Sequence, residues 1–348
     1  MSKKFDVVIG NPPYQSEAVR EGGRNEPIYH LFMDAAYEVG HQAIIITPAR
    51  FLSNAGQTPK AWNAKMLADK HLRVAYFEPD SGKLFPQLAD TIKGGIVVTH
   101  RDSAKELGPI GTFTRHSALD EILQKVDRAN DESLMMEVSS KGAFRYTDKM
   151  FEDHPVASGL IPGGSSNMVV GFSNLPFLWH TDQPKDGHDY VIMHGLEATK
   201  RTCRFIRRDY VTGPRSFHRW KVAVSAANGT GSTTDFFGLP LTNPFVLSPG
   251  VGVTLTFMTI GAFETEGEAN ACLAYIKSKF ARAMLGVLKV TQHNPRGTWK
   301  HVPMQDFTSA SDIDWSKSIA EIDQQLYAKY GLDQSEIDFI ESHVKPME

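Results

Sequence analysis

The stretch Phe5-Asp6-Val7-Val8-Ile9-Gly10-Asn11-Pro12-Pro13-Tyr14 decides the fold of this 348-residue chain. Val7, Val8 and Ile9 form an unbroken β-branched run, the pattern of a strand covered on both faces of a parallel sheet. Gly10 permits a turn, and Pro12 and Pro13 each fix φ and remove an N–H donor. An Asn amide, a prolyl carbonyl and a Tyr ring are thereby held at the carboxyl end of a strand. That is where open α/β sheets bind ligands.

The pattern continues outward from this stretch. Residues 15–26 are polar, carry Gly22 and Gly23, and read as a mobile loop beside the turn. Ile28, Leu31, Phe32, Ala35, Ala36 and Val39 recur at helical spacing, with Gly40 as a stop. Residues 43–46, 72–77 and 96–98 read as three further strands, and 61–67 as a second helix. Strands alternating with helices predict an α/β fold, a partial doubly wound sheet spanning residues 1–115. An edge of Val-Val-Ile invites aggregation unless covered. More sheet is therefore expected beside it, from another chain or from a segment absent here.

Residues 116–149 read as a helical linker, with a helix over 118–126 and an exposed charged stretch after it. From about residue 150 to 305, Pro and Gly become frequent and aromatics scatter, which predicts a second, mixed α+β domain rich in short strands. Within it, Ala269, Cys272, Leu273, Ile276, Phe280, Ala283, Met284 and Leu288 predict one long helix over 267–288. Residues 306–348 form an acidic tail of two helices. Ser318 with Glu321 and Asp333 with Glu336 are capping-box pairs, and Gly331 is a stop.

The composition is that of a globular protein, 41% hydrophobic and 22% charged, and no apolar run reaches the length of a membrane span. No membrane partner and a cytoplasmic location are expected. Cys203 and Cys272 are the only cysteines, too few for a disulfide framework or a Cys-based zinc site, so no metal is expected. Net charge is −3, but its distribution is uneven. Between residues 199 and 221 stand Lys200, Arg201, Arg204, Arg207, Arg208, Arg215, Arg219 and Lys221 against Asp209 alone. They interleave with Phe205, Tyr210, Phe217, His218 and Trp220, a pattern suited to phosphate contacts and base stacking. Residues 306–348 carry ten acidic residues against three lysines. A basic centre offset by an acidic tail suits a nucleic-acid face on a near-neutral protein.

The Asn11–Tyr14 unit has a specific chemical capacity. The Asn11 side-chain oxygen and the Pro12 carbonyl together can accept both hydrogens of an –NH2 group. An aromatic amine is a poor nucleophile because its lone pair is delocalised into the ring. Two acceptors favouring a pyramidal nitrogen free that pair, and Tyr14 can stack on the ring. The gain is one of orientation and preorganised electrostatics.

With these residues in hand, the chain resembles the γ-class N6-adenine DNA methyltransferases of restriction–modification systems, including those fused to endonucleases. The resemblance extends through Ile44-Ile45-Ile46-Thr47-Pro48, Leu84-Phe85-Pro86, Asp90-Thr91-Ile92-Lys93-Gly94-Gly95-Ile96, and Val302-Pro303-Met304-Gln305-Asp306-Phe307. It implies methyl transfer from S-adenosylmethionine to a flipped adenine in double-stranded DNA. It implies that Asn11, Pro12, Pro13 and Tyr14 are catalytic. It casts 1–115 as the C-terminal half of a methyltransferase domain and 150–305 as a target recognition domain. Lys200, Arg201, Arg204, Arg207, Arg208 and Arg219 are the expected DNA contacts.

The departure lies in the methyl-donor loop, which in the family precedes Asn-Pro-Pro-Tyr. Ser248-Pro249-Gly250-Val251-Gly252 and Asn228-Gly229-Thr230-Gly231 are glycine-rich but lack a preceding strand with an acidic partner. The chain is thus expected to need a separate donor-binding half, supplied by a second polypeptide. Two other readings stay open: a non-enzymatic DNA specificity subunit or truncated remnant, and a protein-glutamine methyltransferase. The basic region speaks against the latter, whose substrate needs no such domain.

Overall fold

Phe5–Gly10 forms strand β1, and it pairs in parallel with β2 (Gly40–Pro48), Val8 standing opposite Ala43. Helix α1 (Tyr29–Val39) connects them. The structure, a computed structural model, describes residues 4–16, 25–53, 57–88, 92, 94–114, 116–129, 131–161, 165–198, 200–227, 243–289 and 292–347. Residues 17–24 of the loop after the turn and the glycine-rich stretch 228–231 lie outside them.

The described residues divide into two units, one ending at Asp120 and the other starting at Glu121. The first unit continues with α2 (Lys60–Ala68), β3 (Leu72–Glu78), the single turn α3 (Ser81–Leu84) and β4 (Ile96–Asp102). Helix α4 (Ser117–Ala129) crosses the division. All four strands expected from the sequence are present. Their order is β1-β2-β4-β3, and β4 runs antiparallel to both neighbours, so the sheet is mixed.

One face of this sheet carries the core. Ala43, Ile45 and Val97 pack with Tyr29, Met33, Ala36 and Tyr37 of α1, Trp62 and Met66 of α2, and Phe51. The expected burial of β1 on both faces is not met. Phe5, Val7 and Ile9 are 56%, 46% and 74% exposed, and Val8 is the residue that packs inward. The reason is that alternate side chains of a strand point to opposite faces, and the core of this unit lies on the face of Val8.

Helix α1 also turns a different stripe inward than its apolar spacing predicts. Tyr29, Met33, Ala36 and Tyr37 are buried, while Leu31 and Phe32 are exposed. Two aromatic rings and a methionine bury more surface than the Leu31–Phe32 side of the helix. Gly40 ends α1 with an extended backbone. A Cβ there would stand 2.8 Å from Val8 Cγ2 and from the Gln42 carbonyl, so glycine is needed for the close approach of β1.

In the second unit the strands are short. They are β5 (Arg145–Tyr146), β6 (Tyr190–Glu197), β7 (Lys200–Arg207), β8 (Val211–Thr212), β9 (Trp220–Ser225), β10 (Phe245–Leu247), β11 (Val251–Val253) and β12 (Phe257–Phe263). Small helices α5 (Asp148–Asp153) and α6 (Ala157–Leu160) lie between β5 and β6. The sheets are β11-β6-β7, β10-β9-β12 and β5-β8. Phe144, Met193, Ile206, Tyr210, Phe217 and Phe257 belong to their shared core.

The helix expected over 267–288 is two helices, α7 (Glu266–Lys277) and α8 (Lys279–Leu288). Ser278 leaves the helical region at ψ 150° and its hydroxyl accepts from the Ala281 N–H, capping α8. Asp323 of α9 (Ile319–Lys329) adds to that cap, accepting from the N–H groups of Lys279 and Phe280 at 3.0 and 2.9 Å. Both expected capping boxes form, at Ser318/Glu321 and, for α10 (Gln334–His343), at Asp333/Glu336. Gly331 ends α9 with φ +62°.

Asp323 yields a pH prediction. Burial pushes its carboxyl up to about 6 despite the two N–H donors. The unfolded value is about 4. Because the folded value is the higher one, the group's contribution is complete below the unfolded value and is lost as pH rises through 6. Relative to Asp323→Asn, the wild type is expected to lose on the order of 2 kcal/mol of unfolding free energy between pH 4 and 6.5. Urea titrations across that range check this, and a pH-independent difference contradicts it.

Candidate functional site

The Asn11–Tyr14 turn leaves the carboxyl end of β1, where Gly10 pairs with Ile45 of β2. Its far end is pinned. The Ile28 N–H donates to the Tyr14 carbonyl at 3.1 Å, Gln15 bridges Pro27, and the Ser16 N–H donates to the Glu26 carbonyl at 2.9 Å. The turn is therefore held between β1 and the start of α1. Two prolines in sequence remove the backbone freedom that remains.

Asn11 and Pro13 are exposed, and Pro12 and Tyr14 are half-buried. The Tyr14 hydroxyl donates to Asn11 Oδ1 at 2.7 Å. Its ring packs against the core that contains Tyr29, Met33, Phe51 and Trp62. Burial pushes the Tyr14 phenol above its ordinary value, so the hydroxyl is protonated near neutral pH and acts as the donor. The structure thus brings Asn11 and Tyr14 into contact. Among the described residues no group donates to the Pro12 carbonyl.

Thr47 lies at the same end of the sheet. It stands at the carboxyl end of β2, and its hydroxyl is fully buried with no hydrogen-bond partner among the described residues. Its sequence signal is the Thr47-Pro48 step at the end of an apolar strand, beside the strand that ends in Gly10.

The basic segment takes a form its composition does not suggest. Lys200 and Arg201 are exposed at the start of β7. Arg201 Nη2 donates to Ser225 Oγ at 2.7 Å, and its guanidinium lies over the Phe257 ring. Arg204 pairs with Glu197 and lies over Phe172. Arg207 grips Asp209 with two nitrogens, at 3.0 and 2.5 Å, and stacks on Tyr210. Arg208 donates to the Val211 carbonyl at 2.7 Å and stacks on Phe217. Arg219 pairs with Glu264 at 3.0 Å. Lys221 is interior: its ammonium donates to the carbonyls of Phe217, Arg219 and Ser248, and burial lowers it to about 8.

Tyr210 and Phe217, expected as stacking platforms for bases, are core residues. Asp153 and Glu264, distant in sequence, and Glu197, from the neighbouring strand β6, meet the cations that looked unopposed. Lys200, Arg201 and Arg219 remain the exposed cations of the six. Lys200→Ala is expected to leave stability unchanged, since surface substitutions usually act within about 0.5 kcal/mol. Arg207→Ala, which empties a bidentate clamp, is expected to cost on the order of 2 kcal/mol in a urea titration. Equal effects of the two contradict this division of roles.

The glycine-rich Ser248–Gly252 segment turns at residues 248–250 after β10 and enters β11. Gly250 has φ +80° and its N–H donates to the Phe217 carbonyl. A Cβ on Gly252 would stand 2.5 Å from the Met193 sulfur, so that glycine serves core packing. No described residue of this turn is arranged to receive a methyl donor. Among the described residues no group of three or more His, Cys, Asp or Glu side chains is placed to hold a metal ion, and no helix is long and apolar enough to cross a membrane.

No curated protein matches the chain. Among solved structures, the type IIG restriction endonuclease BpuSI is similar over 97% of this chain, with 11% identity and a TM-score of 0.30. The similarity covers 53% of that protein, so the chain spans about half its length. Residues 1–85, which carry the Asn11–Tyr14 turn and the strands β1 to β3, match the family described as the Eco57I restriction-modification methylase.

Proposed function

We propose that this chain is the adenine-positioning and DNA-recognition part of a DNA adenine-N6 methyltransferase of a restriction–modification system. The observation that carries the reading is the presentation of Asn11. A rigid turn at the end of β1 displays its side chain beside a prolyl carbonyl and an aromatic ring, within the segment that matches a restriction-modification methylase family.

In this reading the target adenine leaves the duplex and its amino group meets Asn11 Oδ1 and the Pro12 carbonyl. Both are acceptors, so they bind the two N–H bonds and not the lone pair. The nitrogen is drawn toward a pyramidal geometry with the pair directed away from both acceptors. Pro13 fixes the distance between the acceptors and Tyr14, whose ring stacks on the base. The prepaid orientation and fixed dipoles lower the barrier without a covalent intermediate.

The methyl group comes from S-adenosylmethionine. The Ser248–Gly252 turn does not fit that donor, since Gly250 serves the turn and Gly252 the packing against Met193, and no step on this chain's residues involves it. We assign donor binding to a further segment or a second polypeptide that completes a Rossmann-like, doubly wound sheet beside β1. The exposure of Phe5, Val7 and Ile9 supports this assignment. The second unit serves as the DNA recognition domain, with Lys200, Arg201 and Arg219 as phosphate contacts and Arg204, Arg207 and Arg208 as the braces of the strand that presents them.

Duplex binding at graded salt tests the reading against a glutamine methyltransferase. Binding is expected to weaken linearly in log K against log salt, and Lys200→Ala is expected to reduce the slope by about 1. Absence of duplex binding contradicts the reading and favours a protein substrate.

A further inference from the structure

The contact between Asn11 and Tyr14 bears directly on how a base enters this turn. The inference rests on the amine-site reading above in one respect, the identity of the entering group. Asn11 Oδ1 is the acceptor that an amine must use, and in the free turn the Tyr14 hydroxyl already occupies it at 2.7 Å. Tyr14 is also the ring that must stack on the base. Here that ring is half-buried and packs on the core of its own unit. A ring seated on that core with its hydroxyl on Asn11 does not present a free face to a base at the same time. Both parts of the site are therefore engaged with each other before any ligand arrives.

We propose that the Tyr14–Asn11 hydrogen bond is a latch: the turn rests closed, and a planar aromatic amine opens it by displacing the Tyr14 hydroxyl from Asn11 and drawing the ring off the core onto its own face. The backbone does not need to move. Pro12 and Pro13 hold φ, and the Tyr14 carbonyl is anchored by the Ile28 N–H. The change is a side-chain rotation of Tyr14 alone. An amide oxygen has two lone pairs, so the competition is not only for electrons. The phenol occupies the space beside the acceptor, and a donor already bound makes that oxygen a poorer acceptor for the next.

The latch makes a ligand without a 6-amino group a poor opener, because it offers nothing to Asn11 in exchange for the hydroxyl. Two nucleosides separate these cases: adenosine carries the amine, and inosine carries a carbonyl in its place. A neutral hydrogen bond between such groups contributes an amount that corresponds to a roughly two- to tenfold change in binding. Tyr14→Phe removes the hydroxyl and keeps the ring. It therefore leaves stacking intact and opens the acceptor.

The test is a nucleoside titration of the full chain followed by NMR at the Asn11 side-chain amide, with Asn11→Ala identifying the signal. The latch predicts that adenosine shifts the signal, that inosine does so much more weakly, and that Tyr14→Phe tightens adenosine binding roughly two- to tenfold. A thermal melt of Tyr14→Phe matching the wild type confirms that the fold is kept. If Tyr14→Phe binds adenosine no more tightly than wild type, the latch is overturned while the amine site stands. If adenosine leaves the Asn11 signal unmoved in both proteins, or inosine binds equally well, the amine site is overturned and the latch with it.

Discussion

Asn11→Ala is expected to reduce methyl transfer by the assembled enzyme at least a hundredfold while changing duplex affinity less than about threefold. The asymmetry follows from where Asn11 sits. It lies at the exposed end of β1 in the first unit, whereas the cations assigned to phosphate contact lie on β7 and the turns after it, in the second. Removing the carboxamide deletes one of two acceptors that act on the reacting nitrogen. Loss of one preorganised polar group of this kind typically costs about 100- to 1,000-fold in turnover. The folded state is little affected, because the Asn11 side chain is exposed and its described partner is the Tyr14 hydroxyl. Asn11→Asp is expected to be inactive as well: its oxygen still accepts, but a carboxylate beside the turn also binds the Tyr14 hydroxyl more strongly. A variant with normal transfer removes Asn11 from the reaction.

Gly95→Ala is expected to destabilise the first unit by about 3 kcal/mol. Gly95 has φ +85°, and a Cβ built there stands 2.5 Å from the Glu78 carbonyl oxygen and 2.9 Å from Pro79 Cα. Left-handed backbone costs an alanine about 1 kcal/mol, and the overlap with main-chain atoms adds a similar or larger amount. The neighbouring elements cannot give way cheaply. Glu78 pairs with Ile96 in the β3–β4 ladder, and the Gly95 carbonyl accepts from the Ala49 N–H at 2.9 Å just past β2. Gly108 is an internal control in the same unit. It has φ +82° but nothing within 4 Å of its Cβ position, so Gly108→Ala is expected to cost only the backbone share, about 1 kcal/mol. Urea titrations of both variants isolate the clash by difference, and equal losses contradict it.

These two positions also show what kind of information the sequence carried. The turn at Asn11–Tyr14 was legible because a glycine and two adjacent prolines at the end of an apolar strand define it. Three of the four strands of the first sheet were legible as short β-branched runs, and β3 as a short apolar and aromatic one. The boxes at Ser318/Glu321 and Asp333/Glu336 were legible because capping is a three-residue rule. The break at Ser278 was masked by an apolar stripe that continues through it, and it depends on Asp323, 45 residues away. The exposed face of β1 was not legible in Val7-Val8-Ile9, since an unbroken β-branched run suits a strand covered on both faces equally well. The basic segment was the least legible feature. Its charge count was correct, but Asp153 and Glu264 reach those cations through the fold, Glu197 stands just before the counted segment, and Lys221 is buried among carbonyls. Pairing at a distance is invisible to a window of twenty residues.

The adenine-amine reading makes the modified base itself the decisive observable. The most direct measurement is base-resolved mapping of DNA from a methylation-free host that expresses this chain together with the neighbouring reading frames, beside the same host expressing the Asn11→Ala form. The reading predicts N6-methyladenine at one short sequence motif throughout the genome, lost with Asn11→Ala. Unmodified adenine in both hosts, or a modification that persists in the Asn11→Ala host, contradicts it.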